Sequence, residues 1–320
     1  MRRIVLTTLA LAILASAAHS APAAATGKLS LPANTSTILN HIYSGRTGLA
    51  IPEARLLEEQ NPNDPLGYIL EAEARWWKIW WGSAEFKYGM SMARHREKMA
   101  ADQPYLELAS KAYVVATTNL AQQESADMHL YAGMADSLAA RLYGLRGEGR
   151  NTAKFGVRAR ENLQRAIALD PQLADADFGL GLYNYYVDTL SAMARMLRFM
   201  MGIPGGSKEQ GIRQLHIAIA EGQLTPALAR YYLAINLHNF DQRYEDALRL
   251  ITPLVEQYPD NPIFRLTQGD LYAKLGRKQL ALASYHAAAG AKMDDDESRN
   301  KLAKLVQASM AAIGGPEAPK

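Results

Sequence analysis

Two dissimilar stretches near the end of the chain, "YEDALRLITPLVEQYPDNP" and "RKQLALASYHAAAGAKMDD", carry small residues at Ala247 and Ala281, 34 residues apart. Gly269 and Tyr272 stand twelve and nine residues before Ala281, and Tyr285 and Ala288 follow it. The same marks recur upstream. "ARENLQRAIALDP" holds Ala159, Leu163, Ala166 and Pro171, with Gly181 ten residues after that proline, and "ASKAYVVA" supplies Ala109, Tyr113 and Ala116. "LLEEQNPNDP" ends in a turn at Pro62. A period of this size belongs to a unit of two helices, each too short to bury its apolar face alone. Small residues let the two helices approach, larger ones fill holes against the next unit, and proline stops the second helix because it lacks a donor.

The spacing resembles the tetratricopeptide repeat (TPR) superfamily. Its pattern has small residues at positions 8 and 20, aromatics at 11 and 24, Ala at 27 and Pro at 32. In the last repeat these read Gly269, Ala281, Tyr272, Tyr285 and Ala288, and the preceding repeat ends in Pro259. The resemblance implies an all-α fold, a TPR-type α-solenoid built as a right-handed superhelix of antiparallel helix pairs. Its departures predict long inserts in the first three full repeats. Ala72 to Ala109, Gly133 to Ala159 and Gly181 to Gly211 span 37, 26 and 30 residues where twelve are expected, leaving inserts of 25, 14 and 18. Extended first helices, or additional ones, would absorb them. The stretch from Gly179 to Phe240, with "GLGLYNYYVDTLSAMARMLRFMMGIPGGSKEQGIRQLHIAIAEG", is similar to the eukaryotic tetratricopeptide repeat protein 39 and inclusion-body-clearance family. That likeness implies a non-enzymatic adaptor, in some members tied to lipid handling. Those proteins are intracellular, so only their architecture carries over.

The first twenty residues read as an export signal. "MRR" is a charged start, "IVLTTLALAILASAA" an apolar run, and Ala18 and Ser20 form a small-x-small cleavage site. The expected organisation is signal 1–20, flexible lead-in 21–36, helical solenoid 37–293, capping helix 294–313 and disordered tail 314–320. The mature chain would hold 33 basic and 32 acidic residues. It would have no transmembrane span and would be periplasmic. Such a balance speaks against nucleic acid, which needs a concentrated basic stripe. Cysteine is absent, so disulfides, thiolate metal sites and cysteine nucleophiles are excluded.

All four tryptophans fall within "RWWKIWW", at Trp76, Trp77, Trp80 and Trp81. On a helix they span an arc of about 140°, with Lys78 pointing away. Three readings are open: a core face, an aromatic platform for a sugar, peptide or apolar ligand, and a membrane-interface anchor. Helical aromatic stripes usually bury themselves, which puts the core first. The indole N–H groups then need acceptors, for which Glu71, Glu73 and Tyr88 are near in sequence. The methionine-rich run "SAMARMLRFMMGIPGG" poses the same choice, since methionine both fills gaps and builds adaptable surfaces. The expectation is that Arg195 and Arg198 face water while Met193, Met196, Leu197, Met200 and Met201 pack inward, with a partner surface as the alternative.

In TPR proteins the concave face presents positions 2, 5, 9 and 12 of each first helix. Counted from Leu228, these are Ala229, Tyr232, Asn236 and Asn239, flanked by Phe178 and Tyr185 on one side and Leu266 and Asp270 on the other. Tyr232 replaces the lysine of the clamp that grips chaperone tails, so that specialised role is not expected. Together with Trp76 and Trp80, the candidate binding residues are Phe178, Tyr185, Tyr232, Asn236, Asn239 and Asp270.

Catalysis finds no foothold. His19, His41, His95, His129, His216, His238 and His286 form no two-histidine helical metal motif, and none stands in a recognisable triad. His238 falls where the repeat wants an aromatic, and His95 in "ARHREK" reads as solvated. Asp294 to Glu297 lack the spacing and glycine of a calcium loop and suit a helix N-terminus instead. "GIPGG" lacks the context of a phosphate loop. No catalytic, cofactor-binding or metal-binding residue is expected. The leading functional expectation is a non-enzymatic exported scaffold or adaptor that binds a protein or peptide through the concave face and the apolar insert between Val187 and Lys208. The alternative is a periplasmic small-molecule, glycan or lipid-binding protein, with an aromatic pocket enclosed by the inserted helices around Trp76, Trp80 and Tyr185.

Overall fold

In a computed structural model, which describes residues 28–87, 97–293 and 295–314, the chain is all-helical. In order the helices are α1 (Thr35–Tyr43), α2 (Thr47–Gln60), α3 (Pro65–Ser83), α4 (Asp102–Gln122), α5 (Ala126–Leu145), α6 (Gly149–Leu169) and α7 (Asp175–Thr189). There follow α8 (Ala192–Met200), α9 (Lys208–Glu221), α10 (Pro226–Asn239), α11 (Tyr244–Gln257), α12 (Pro262–Lys274), α13 (Lys278–Ala289) and α14 (Asp296–Ala312). A single 3-10 turn, Glu85–Lys87, follows α3, and no strand occurs among the described residues. None of the described helices is long and apolar enough to cross a membrane.

Local chemistry sets the helix ends. Asp64 accepts from Leu66 N at the start of α3, and Asn261 accepts from Ile263 N and Phe264 N at the start of α12. Each cap is followed by a proline at the first helical position, where the missing donor costs nothing. Ser125, Ser207 and Asp295 cap α5, α9 and α14 in the same way. Helices α2, α6 and α11 stop at Gln60, Leu169 and Gln257, each two residues short of Pro62, Pro171 and Pro259. Ala84, in left-handed backbone at φ 57°, ends α3.

Sequence neighbours pack on one another along the chain, from α1 on α2 to α13 on α14, with α7 joined to α9. The helices differ in how much they hide. Most residues of α3, α5, α10 and α12 are buried, as is nearly half of α7, whereas α6 buries only Ala159, Leu163 and Ala166, and α9 only Gly211, Leu215 and Ala218. The expected small-residue contacts are present. A Cβ added at Gly211 would lie 2.6 Å from the Gly181 carbonyl oxygen, and one at Gly269 would lie 2.4 Å from the Tyr285 ring.

The long spacings are filled in different ways. Between Gly133 and Ala159 there is no added helix: α5 and α6 are 20 and 21 residues long and form the most extensive helix–helix interface. Between Gly181 and Gly211 a short separate helix, α8, intervenes. Between Ala72 and Ala109, α3 runs on to Ser83, and residues 88–96, with Tyr88 and His95, lie outside the described residues. So do residues 1–27, which hold the expected signal and part of the expected lead-in, Asp294, and residues 315–320. The described end of the lead-in is tied down, because Leu29 is buried and its N–H donates to Gln223 Oε1 at 2.6 Å.

The N-terminal helices return to the C-terminal ones. Asn261 Nδ2 donates to the Tyr43 carbonyl at 2.8 Å, and Arg46 pairs with Asp260 at 3.0 Å. Lys87, just beyond α3, reaches Asp270 of α12 at 2.6 Å and Ser309 of α14 at 2.8 Å.

The glycine contacts give a paired prediction. Gly211→Ala meets backbone that cannot swing aside and should lower stability by about 1–3 kcal/mol. Gly156, inside α6 with nothing within 4 Å of an added Cβ, should gain up to about 1 kcal/mol on mutation to Ala. Urea unfolding followed by helical circular dichroism measures both.

Candidate functional site

The four indoles sit at the centre. Trp76 and Trp80 are 1% and 0% exposed, and Trp77 and Trp81 are 4% and 9%. Trp76 stacks on Trp80 with ring centroids 5.7 Å apart, and the Arg141 guanidinium of α5 lies 4.3 Å above Trp76. Trp77 meets Tyr43 of α1 at 6.0 Å, Tyr231 of α10 at 5.3 Å and Phe264 of α12 at 5.7 Å. Trp81 stacks on Phe86. Among the described residues the stripe is a core face, and none of its four rings forms an open platform. Its hydrogen bonding differs from the sequence expectation. Trp80 Nε1 donates to the Tyr231 hydroxyl at 2.8 Å, while Glu71 is held by Arg55 and Arg75, and Glu73 by Arg141. The indole nitrogens of Trp77 and Trp81 are buried without a partner.

The candidate concave-face residues do lie on the inward sides of α7, α10 and α12, but they face one another rather than solvent. Phe178, Tyr185, Tyr232 and Asn236 are buried, as are Trp76 and Trp80, and Asn239 and Asp270 are half-buried. Phe178 lies against Tyr232, with ring centroids 6.0 Å apart. Tyr185 donates to Asp241 Oδ2 at 2.8 Å, and Tyr186 to Asn236 Oδ1 at 2.9 Å. Asn239 bonds His238 at 2.6 Å, and Asp270 accepts from both Lys87 and Tyr285. Phe178, Tyr185, Tyr232, Asn236, Trp76 and Trp80 are therefore not accessible to a partner in this structure.

Ionisable groups in this interior are spent on each other. Glu73 grips Arg141 through both guanidinium ends, at 2.6 and 3.3 Å, and Arg141 also donates to Tyr105 at 3.3 Å. Burial is the largest influence on Arg141 and opposes its charge, but Glu73, Tyr105 and Tyr232 together outweigh it and raise the guanidinium well above its usual value. Burial pushes the Tyr232 hydroxyl up to about 12, with Arg141 pulling against it. Arg141 Nε and Asn236 Nδ2 are buried without hydrogen-bond partners. Each such unpartnered group costs about 1–3 kcal/mol, which the surrounding aromatic packing has to offset. No cluster of three potential metal ligands occurs among the described residues.

Outside the core one surface stands out. Met196, Phe199, Met200 and Met201 are 58%, 80%, 73% and 62% exposed. This corrects the expectation that Met196, Met200 and Met201 pack inward; the side chains of Met193 and Leu197 lie outside the description. Among the described helices, α8 alone has no extensive packing interface with another helix. Its turn is nevertheless anchored. Gly202 takes left-handed backbone at φ 66°, Arg198 Nη1 donates to the Ile203 carbonyl at 2.9 Å, and Tyr183 donates to the Pro204 carbonyl at 2.8 Å. Phe199 was missed by groove counting, although its i, i+3, i+4 relation to Met196 and Met200 is visible in the sequence. Two open clefts of about 370 and 470 Å³ flank Arg160 and Gln214, and Glu245 and Tyr272. Neither is aromatic-walled as the alternative functional expectation requires.

No known protein-family model matches this chain, and no curated protein matches it.

Two stability tests follow from the interior. Glu73→Gln or Arg141→Met alone should cost about 3–5 kcal/mol by leaving one buried charge unpaired. The Glu73→Met/Arg141→Met double variant should be more stable than either single one, as read from urea midpoints. Glu58 supplies a pH test. Burial, and then the neighbouring Glu71, push its carboxyl up to about 8. Its folded-state pKa is thus raised above the unfolded value of about 4.3. The associated stabilisation is complete below the unfolded value and is lost as pH rises through about 8. Urea midpoints should fall from pH 5 to pH 8, and Glu58→Gln should flatten that slope.

Proposed function

We propose that this chain is a non-enzymatic adaptor, a TPR-type α-solenoid whose interior is closed by its own tryptophan helix and which docks through α8. The 34-residue spacing, the Gly181–Gly211 and Gly269–Tyr285 contacts, and the alternation of strongly and weakly buried helices support the repeat assignment. On this reading α8 and the added lengths of α3, α5 and α6 are the inserts, and α14 caps the last repeat. The signal-like N-terminus supports export to the periplasm.

One observation carries the functional half. Six of the candidate binding residues are buried and Asn239 and Asp270 are half-buried, whereas four large apolar side chains on and just after α8 are open to solvent. Docking by preformed helical surface with aromatic anchors suits an adaptor. The alternative of a ligand enclosed among the aromatics is disfavoured by ring centroids 5.3–6.0 Å apart throughout the tryptophan cluster, which leave no space between them.

Photocrosslinking from a benzophenone amino acid at position 199, in the cells that make the protein, tests this. Discrete adducts are expected from 199 and none from the same probe at Val114, an exposed apolar position on α4. Equal or absent labelling at the two positions would remove α8 as the docking surface.

A further inference from the structure

The inference concerns what α8 docks on, and it rests on the reading of α8 as the docking surface. At 100° per residue, Phe199, Met196 and Met200 occupy an apolar arc of about 100° on this helix. Arg195 and Arg198 flank that arc on one side. From Thr189 to Lys208 the segment contains Arg195, Arg198 and Lys208 and no acidic residue. Lys208 is paired with Asp241. The two arginines find only backbone: Arg195 Nη1 reaches the Asp188 carbonyl at 3.5 Å, Arg198 Nη1 the Ile203 carbonyl at 2.9 Å, and neither has a carboxylate partner among the described residues.

We propose that α8 seats the protein on an anionic lipid surface, with Phe199, Met196, Met200 and Met201 entering the acyl boundary and the exposed Arg195 at the headgroups, while Arg198, half-buried against the Ile203 carbonyl, holds the turn. An amphipathic helix with apolar side chains on one face and guanidiniums beside them is the form that lies in a membrane interface. Long arginine side chains can keep their charge among phosphates while their stems follow the apolar face downward. A protein partner is the weaker match. A stable protein interface takes about 800 Å² and 20–30 residues on each side, whereas α8 is a nine-residue helix with no extensive interface to another described helix. Unbranched methionines fit fluid chains without needing a shaped pocket. Tyr183 and the Gly202 turn hold the segment in place, so little ordering is needed on contact.

Sedimentation with vesicles decides it, using the protein purified after export. Vesicles of phosphatidylcholine and phosphatidylglycerol at about 7:3 should carry the protein down, and pure phosphatidylcholine vesicles much less. Arg195→Gln should weaken binding roughly fivefold, and higher salt should act in the same direction. Phe199→Ser/Met200→Ser should weaken it by at least about tenfold. Both positions are exposed, so helical circular dichroism and melting temperature should stay at wild-type values and exclude misfolding. Absence of binding, or binding that survives the double variant, overturns the proposal. If vesicles fail but the probe at 199 captures a discrete protein, or wild type is a dimer that the double variant makes monomeric, the lipid inference falls and docking through α8 stands. If both vesicles and probe fail, both fall.

Discussion

Four indoles on one helix hold this fold together. Each buried tryptophan removes roughly 150–250 Å² from water, worth about 4–6 kcal/mol apiece. Their partners lie far away in sequence, and that makes them decisive: Trp80 bonds Tyr231, 151 residues on, and Trp77 packs on Phe264. A string of helix pairs in which each unit touches only its neighbours needs no such contact. Here the first third of the chain is fastened to the last third, and Tyr43–Asn261, Arg46–Asp260 and Lys87–Asp270 complete the closure. The buried Glu73–Arg141 pair and its unpartnered neighbours depend on this aromatic packing, since polar groups without partners detract from stability.

How much could be read beforehand follows from the range of each interaction. All-helical structure, the proline stops after α2, α6 and α11, and the close approach of Gly181 to Gly211 rest on local chemistry, and the sequence displays them. Phe178, Tyr185, Tyr232 and Asn236 read from repeat position as groove-lining, whereas the structure buries them. Occupancy of the space those residues face is another matter. It depends on where α3 lies relative to α10 and α12, a relation between segments about 150 to 190 residues apart that no periodicity encodes. For the same reason the sequence offers only near neighbours, Glu71, Glu73 and Tyr88, as indole acceptors, whereas the acceptor for Trp80 is a tyrosine on a distant helix.

The methionine run shows a second limit. Pattern alone treats Met196, Met200 and Met201 as core material or as contact surface with equal ease, because an apolar stripe looks the same facing inward or outward. What separates α8 from α3 is tertiary. Helix α3 is surrounded by aromatic partners on α1, α4, α10 and α12, whereas α8 leaves its stripe in solvent. Two apolar stripes in one chain thus have opposite fates: one closes the interior, and the other is left for an external contact.

Closure by the tryptophan helix is the central claim, and intrinsic fluorescence with acrylamide quenching reads it directly. Trp76, Trp77, Trp80 and Trp81 are the chain's only tryptophans, so the whole emission comes from α3. A blue-shifted band that acrylamide barely quenches, and that shifts red only as the helices unfold in urea, is the predicted result. Red-shifted, readily quenched emission from the folded protein would contradict it and would mean that the groove stands open with its aromatic residues available to a ligand.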